Sequence, residues 1–118
     1  MPPRDPSAYL CDILEAAAAI QEATGSIDEA AYTSTRLIRS AVEREFTIIG
    51  EALRVIGQRD PELFKAIPEG RQIIDFRNLL CHEYLKVSDR VVWGAIQTDL
   101  PELVEHCSQL LDRLKSGP

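Results

Sequence analysis

Apolar residues recur at helical spacing along nearly the whole chain, and this pattern constrains the fold more than any other feature of the sequence. Positions three and four residues apart share one face of a helix, so the pattern predicts amphipathic helices. The spacing predicts helices over about 7–24, 33–57 and 70–84, and two more that begin near 88 and 99. The sequence has no β-hairpin signature and therefore predicts an all-α fold, an antiparallel bundle of four to five helices.

Glycine, proline and capping residues predict where these helices begin and end. Gly25 stops the first helix, and residues 26–29 cap either a short helical turn or the run-in to the second helix. Residues 60–69 contain two X-Pro pairs, Asp60-Pro61 and Ile67-Pro68, which predict a loop or a short helix there. Residues 99–102 combine an acidic cap with proline in the first turn, which predicts a new helix start. Gly50 interrupts the second helix, and we expect another helix to approach closely there.

Length and composition are those of one ordinary globular domain spanning 1–118. Of the 118 residues, 45% are apolar and 27% are charged, which is enough apolar surface for a core. The chain has no apolar run of 18 residues and its first residues contain no apolar signal core. We therefore expect no membrane-spanning segment and a cytoplasmic location.

The cysteines and histidines predict neither disulfides nor a metal site. Cys11, Cys81 and Cys107 are widely spaced, without a CxxC pair, and are expected to be reduced thiols. His82 and His106 complete no zinc-ligand spacing with them. No metal ion or cofactor is expected.

The charge is unevenly distributed. The formal net charge is −6, yet residues 36–90 carry ten basic and nine acidic residues, whereas 1–35 carry one basic and six acidic. A local basic groove is therefore compatible with an acidic protein, and an anion bound there would be sensitive to salt.

Residues 77–84 hold an unusual set of polar side chains in one short, otherwise apolar stretch. The set is Arg77, Asn78, His82 and Tyr84. Arginine is rarely buried without a partner, and the others need hydrogen-bond partners when enclosed, so core packing does not account for them. An arginine that stabilises a phosphoryl transition state, near a histidine that moves protons at neutral pH, suits phosphodiester chemistry.

Helical geometry suggests that the site is shared between two chains. On a straight helix, Arg77 and His82 point roughly 140° apart. Either the helix ends near His82 and turns that side chain, or two copies of the helix face each other across a two-fold axis. We expect the second arrangement, a composite site in a symmetric homodimer.

The Arg-x4-His-x-Tyr pattern at 77–84 resembles the motif of HEPN-domain proteins of the HepT type. Two further segments are similar to that family. Residues 49–52, Ile-Gly-Glu-Ala, resemble its second-helix signature, and residues 91–103 resemble its C-terminal region. The similarity extends from about residue 8 to residue 114.

This resemblance implies a dimeric, metal-independent endoribonuclease that acts as the toxin of a toxin–antitoxin pair. It implies that Arg77 and His82 are the catalytic pair and that Asn78 orients or contacts the RNA. It also implies that Tyr84 accepts AMP from a minimal nucleotidyltransferase antitoxin of the MntA type, which silences the toxin. Glu51 is either an orienting carboxylate of the site or a salt-bridge partner.

Two other functions remain open from the residues alone. The chain could be a catalytically silent helical partner that binds a nucleotidyltransferase without cutting RNA, or a plain helical dimerisation module. At the level of single residues, Arg77 could pair with a carboxylate across helices, and His82 could be a hydrogen-bonded core histidine. Trp93 is expected to anchor the core or a dimer, and His106 is expected to be a surface or structural residue.

Overall fold

The computed structural model describes residues 4–80 and 88–116, and these residues form helices and no strand. This confirms the all-α fold. In chain order the elements are α1 (Pro6–Thr24), α2 (Glu29–Ser34), α3 (Arg36–Arg59), α4 (Pro61–Lys65), α5 (Gly70–Leu80), α6 (Asp89–Gly94), a π-helical turn (Ala95–Asp99) and α7 (Leu100–Ser116).

Short polar side chains start four of the helices. In each case the side-chain oxygen of the residue before the helix accepts a hydrogen bond from a backbone N–H of the first turn, which would otherwise have no partner. The distances lie between 2.9 and 3.2 Å. The capping residues of α1, α2, α4 and α6 are Asp5, Asp28, Asp60 and Ser88.

The predicted helix over 33–57 is wrong at its start. Thr35 has an extended backbone, with φ −111° and ψ 96°, and it separates α2 from α3. Its hydroxyl donates a hydrogen bond to the carbonyl oxygen of Ala31 at 2.7 Å. Because Asp28 caps a separate short helix, the first of the two alternatives for residues 26–29 is the correct one, and residues 61–65 likewise form a short helix.

The start predicted at 99–102 coincides with the start of α7 at Leu100, but the prediction of a separate, newly capped helix there is wrong. The backbone stays helical from Gly94 to Leu100, and the N–H of Leu100 bonds to the carbonyl of Ala95, five residues back. Pro101 has no N–H to donate, and its ring would clash with the carbonyl of Gln97 in a regular α-helix. The wider π turn accommodates the proline, so α6, the turn and α7 form one continuous helical segment.

The core lies between α1, α3, α5 and α7, and α1 runs antiparallel to α3. Tyr9, near the start of α1, lies beside Val55, whereas Ala16 further along α1 lies beside Ile48. The largest fully buried side chains come from both helices and their neighbours and include Tyr32, Phe46, Leu10, Ile13, Leu53 and Leu103.

Aromatic contacts hold the peripheral elements on this core. The ring of Phe76 on α5 meets that of Phe46 on α3 edge to face, with centroids 5.2 Å apart. Trp93 packs against the buried ring of Tyr32 at 5.6 Å, which supports its expected role as an anchor. No helix in the described part of the chain is long and apolar enough to cross a bilayer.

Candidate active site

Gly50 brings α5 close to α3, as predicted. A Cβ atom built on Gly50 would lie 2.6 Å from Cγ of Arg77, closer than real carbon atoms approach, and closer still to Cβ of the same residue. Only glycine leaves room for the stem of Arg77 at this point. The predicted close approach is therefore confirmed, and the helix it admits carries the motif arginine.

Two side chains hold the guanidinium group of Arg77. Its Nη2 donates a hydrogen bond to Oε2 of Glu51 at 3.1 Å, and its Nη1 donates to Oδ1 of Asn78, also at 3.1 Å. The Arg77 side chain is 25% exposed, so the group is partly open to solvent. Its Nε–H is buried and has no hydrogen-bond partner among the described residues.

Glu51 links Arg77 to a second arginine, Arg54. The Glu51 carboxylate accepts from Nη2 of Arg54 at 2.5 Å and from Nε at 3.3 Å. The hydrogen bond and charge of Arg54, together with the charge of Arg77, lower the pKa of Glu51 despite some opposition from burial. Glu51 thus stays ionised below the usual pH range of a glutamate. One carboxylate between two guanidinium groups leaves a local charge of +1, which suits an anionic ligand.

Arg77 and Glu51 lie in the wall of an open cleft of about 330 Å³. The mid-section of α3 and the first turns of α1 supply the rest of the wall. Its other lining residues are Arg4, Tyr9, Asp12, Arg44, Thr47, Ile48, Ala52 and Val55. A volume of this size falls within the range of small-molecule and cofactor sites, about 300–1,000 Å³.

The structure brings together three of the five predicted site residues. Arg77, Asn78 and Glu51 form one hydrogen-bonded group. His82 and Tyr84 lie outside the described residues, as does Cys81. Within the described ranges, no group of three or more metal-ligating side chains is present, and Cys11 and Cys107 are free thiols.

Sequence reasoning missed the arginines around the motif. Arg54 follows Glu51 at a spacing of three, which places the two side chains together on a helix. Arg44 precedes Glu51 by seven residues and so lies on the same helical face. Both signals are readable in the sequence, but neither points to a site until α5 is seen to pack against this part of α3.

Comparison with known proteins identifies relatives over most of the chain. Residues 13–110 match the family model described as "Ribonuclease HepT-like". A "Putative RNase" of Methanocaldococcus jannaschii is 36% identical over 103 residues, covering 87% of this chain and 94% of the relative. A "Probable ribonuclease HepT" of Thermococcus cleftensis is 36% identical over 95 residues, covering 80% of this chain and 86% of the relative.

A third relative matches nearly the whole chain. It is a "Putative RNase" of Caldanaerobacter subterraneus that is 28% identical over 112 residues, covering 95% of this chain and 99% of the relative. No solved structure matches the chain.

Proposed function

The chain belongs to the ribonuclease HepT-like family, and we propose that it is a metal-independent endoribonuclease acting in the cytoplasm as the toxin of a toxin–antitoxin pair. The observation that carries this proposal is the guanidinium group of Arg77. Glu51 and Asn78 hold it at the wall of an open cleft. The group is fixed in position, partly exposed and part of a cluster with a net positive charge. These are the properties required of a group that stabilises a phosphoryl transition state.

The proposed reaction uses the RNA's own 2′-hydroxyl as the nucleophile. The 2′-oxygen attacks the adjacent phosphorus, and the bond from phosphorus to the 5′-oxygen breaks. The products are a 2′,3′-cyclic phosphate and a free 5′-hydroxyl. His82 takes the 2′ proton or supplies one to the leaving oxygen, a role usually worth about 10²–10⁴ in rate.

Arg77 stabilises the negative charge that develops on the phosphoryl oxygens. Its planar fork of N–H donors matches phosphate better than a lysine does. Glu51 and Asn78 are positioning residues in this scheme, because they fix the orientation of the guanidinium before the substrate arrives. Since DNA lacks the 2′-hydroxyl, the same site does not cleave it.

Tyr84 is the proposed control point. A nucleotidyltransferase antitoxin of the MntA type transfers AMP to it. The Tyr84 hydroxyl attacks the α-phosphorus of ATP, pyrophosphate leaves, and the phenolic proton is lost. The added group brings bulk and negative charge close to the catalytic pair, so it excludes RNA sterically and by repulsion.

The first test is cleavage of RNA by the full chain in EDTA, with the protein's intact mass measured to show that it carries no AMP. We expect the unmodified protein to cut a single-stranded RNA and to leave cyclic-phosphate ends. His82→Ala and Arg77→Ala should each abolish cleavage while keeping the helical circular dichroism of the parent. Arg77→Lys should restore little activity, because a lysine cannot make the forked contacts.

Absence of cleavage by unmodified protein would reject the ribonuclease proposal. It would favour the alternative of a catalytically silent partner of a nucleotidyltransferase. A second arm tests the control point separately. Incubation with the nucleotidyltransferase and ATP should add AMP to the parent chain but not to Tyr84→Phe.

A further inference from the structure

The cleft beside Arg77 continues along α3 into a second hollow. This hollow has a volume of about 210 Å³ and shares Arg4, Tyr9 and Val55 with the first cleft. The two spaces form one groove between the start of α1 and the exposed face of α3. Arg44 lines one end of it and Arg59 the other.

The arginines of this groove differ in how they are partnered. Arg77 is paired with Glu51 at 3.1 Å, and Arg4 with Asp12 at 2.7 Å. Arg44 and Arg59 are exposed, and within the described part of the chain neither forms an ion pair or a side-chain hydrogen bond. Asp60 also lines the second hollow beside Arg59, but its Oδ1 accepts a hydrogen bond from the backbone N–H of Leu63 and not from Arg59. The arginines without an ion pair in the described residues therefore lie at the two ends of the groove.

The spacing of these two charges indicates a polymeric ligand. Arg44 and Arg59 are separated by 15 residues of one helix, which corresponds to about 22 Å along its axis. On a regular helix the two positions differ by only about 60° in direction. Glu51, the partner of Arg77, lies between them. A single nucleotide cannot contact both ends, whereas a strand that passes over Arg77 can.

The ring of Tyr9 contacts two arginines of the groove. The guanidinium carbon of Arg4 lies 4.8 Å from the centre of the Tyr9 ring, and that of Arg59 lies 6.0 Å from it. Such contacts hold cationic side chains over an aromatic face. The ring thus lies where the two hollows join, with Arg59 over its face beside the ion pair of Arg4 and Asp12.

We propose that this groove binds the backbone of single-stranded RNA on both sides of the scissile phosphate, with Arg44 and Arg59 contacting flanking phosphates and Tyr9 positioning Arg59. The inference rests on the proposed ribonuclease function and adds the path of the substrate. It also accounts for how a chain of net charge −6 binds RNA, since the contacts are confined to one local stripe of charge.

Binding is tested on full chains that cannot cut the probe. The probe is a fluorescent single-stranded RNA of about 12 nucleotides, within the site sizes of single-strand binders. The parent is His82→Ala, and the variants add Arg44→Ala, Arg59→Ala or Arg44→Lys. The matched control adds Arg36→Ala, which removes an exposed arginine of the same helix that does not line the groove.

The logarithm of the affinity falls as the logarithm of the salt concentration rises. Each lost phosphate contact should make this negative slope shallower by about 0.7 for single-stranded nucleic acid. We expect this reduction for Arg44→Ala and Arg59→Ala, and the parent slope for Arg44→Lys and Arg36→Ala. Equal slopes for all variants would overturn the proposal, as would a folded parent that does not bind the RNA.

A cleavage arm separates failure of the groove from failure of the function. With His82 intact, Arg44→Ala and Arg59→Ala should lower kcat/KM for the long RNA about tenfold, the order expected for one charge-assisted contact. For a dinucleoside monophosphate, which has the scissile phosphate but no flanking phosphate, the same substitutions should lower kcat/KM much less than tenfold. If the intact chain cuts no RNA, the proposed function fails and the binding slopes still decide the groove. If the intact chain cuts RNA, but Arg44→Ala and Arg59→Ala cleave the long RNA with the same kcat/KM as Arg36→Ala, only the groove is rejected.

Discussion

The ion pair between Arg77 and Glu51 is compatible with a catalytic role for Arg77. A guanidinium group has five N–H donors, and in the described structure Arg77 uses one for Glu51 and one for Asn78. The contacts fix the plane of the group while leaving donors for a phosphate. The structure therefore shows Glu51 as a salt-bridge partner of Arg77, and its role as an orienting carboxylate of a catalytic site stays a prediction.

Gly50→Ala tests whether the position of Arg77 depends on the close approach of α5. The added methyl group would collide with the stem of Arg77. Overpacking of this kind costs about 1–3 kcal/mol, against about 1 kcal/mol gained from the helix propensity of alanine. We expect a net loss of up to about 2 kcal/mol in the free energy of unfolding and a clear loss of RNA cleavage by the folded protein, measured by urea denaturation and kcat/KM.

Gly94→Ala is the matched control for that substitution. Gly94 is also helical, and nothing lies within 4 Å of a Cβ built on it. This variant should be stabilised by up to about 1 kcal/mol and should cleave RNA normally. If Gly50→Ala cleaves as well as Gly94→Ala, the close approach does not set the geometry of Arg77.

The close approach at Gly50 could be predicted because glycine has few structural roles inside a helix. A glycine inside a long amphipathic helix needs a reason, and the approach of Arg77 supplies it. Prediction failed for Arg44 and Arg54, because exposed arginines on a helix are ordinary and their significance depends on which helix packs beside them. The roles of His82 and Tyr84 remain predictions.

At the scale of elements, a polar pair ties the start of α5 to α7. The carboxylate of Glu69, just before α5, is 7% exposed and lies 2.8 Å from Nδ1 of His106 on α7. Burial and the negative charge of Glu69 raise the pKa of the neighbouring Cys107 thiol to about 12. Burial, Glu102 and Glu69 likewise raise the pKa of Asp99. His106 thus satisfies a carboxylate in an otherwise negative, partly buried region, which supports its expected structural role.

His106→Ala should destabilise the fold by removing this partner. A buried carboxylate left without its hydrogen bond costs about 1–3 kcal/mol, measured as a loss in the free energy of unfolding. The double variant with Glu69→Gln should lose less than the sum of the two single variants, because the two side chains act as a pair. Glu105→Ala, at an exposed position of α7, is the control. A change for His106→Ala no larger than for this control would show that the contact does not stabilise the protein.

The element boundaries show where sequence reasoning reached its limit. Caps and helical periodicity correctly predicted α1, the described part of α5 and the start of α6. The π turn could not be predicted, because acid followed by Leu-Pro-Glu is equally typical of a new helix start. Val92 before the turn, Ile96 within it and Leu100 after it are all buried, so one continuous face of the segment packs on the core.

For the whole molecule, the all-α architecture could be predicted because the apolar period is helical everywhere and no segment competes with it. The antiparallel arrangement of α1 and α3 places Tyr9 and Arg4 opposite the second half of α3. That placement depends on tertiary packing, so the charge distribution could indicate a local basic groove but not its position between α1 and α3. The homodimer also remains a prediction at this scale, and paired substitutions at Arg77 and His82 test it.

Mixing two inactive variants distinguishes a composite site from a site within one chain. If each site takes Arg77 from one protomer and His82 from the other, a mixed dimer of Arg77→Ala and His82→Ala has one doubly damaged site and one intact site. Random mixing of equal amounts makes half of the dimers mixed, so about a quarter of the parent's cleavage should return. If both residues act from the same chain, every site in every dimer lacks one of them and no activity returns. Cleavage by the mixture, with dimers confirmed by sedimentation, would place His82 of one chain opposite Arg77 of the other. That is the one of the two arrangements compatible with roughly 140° between them on a straight helix that we expect.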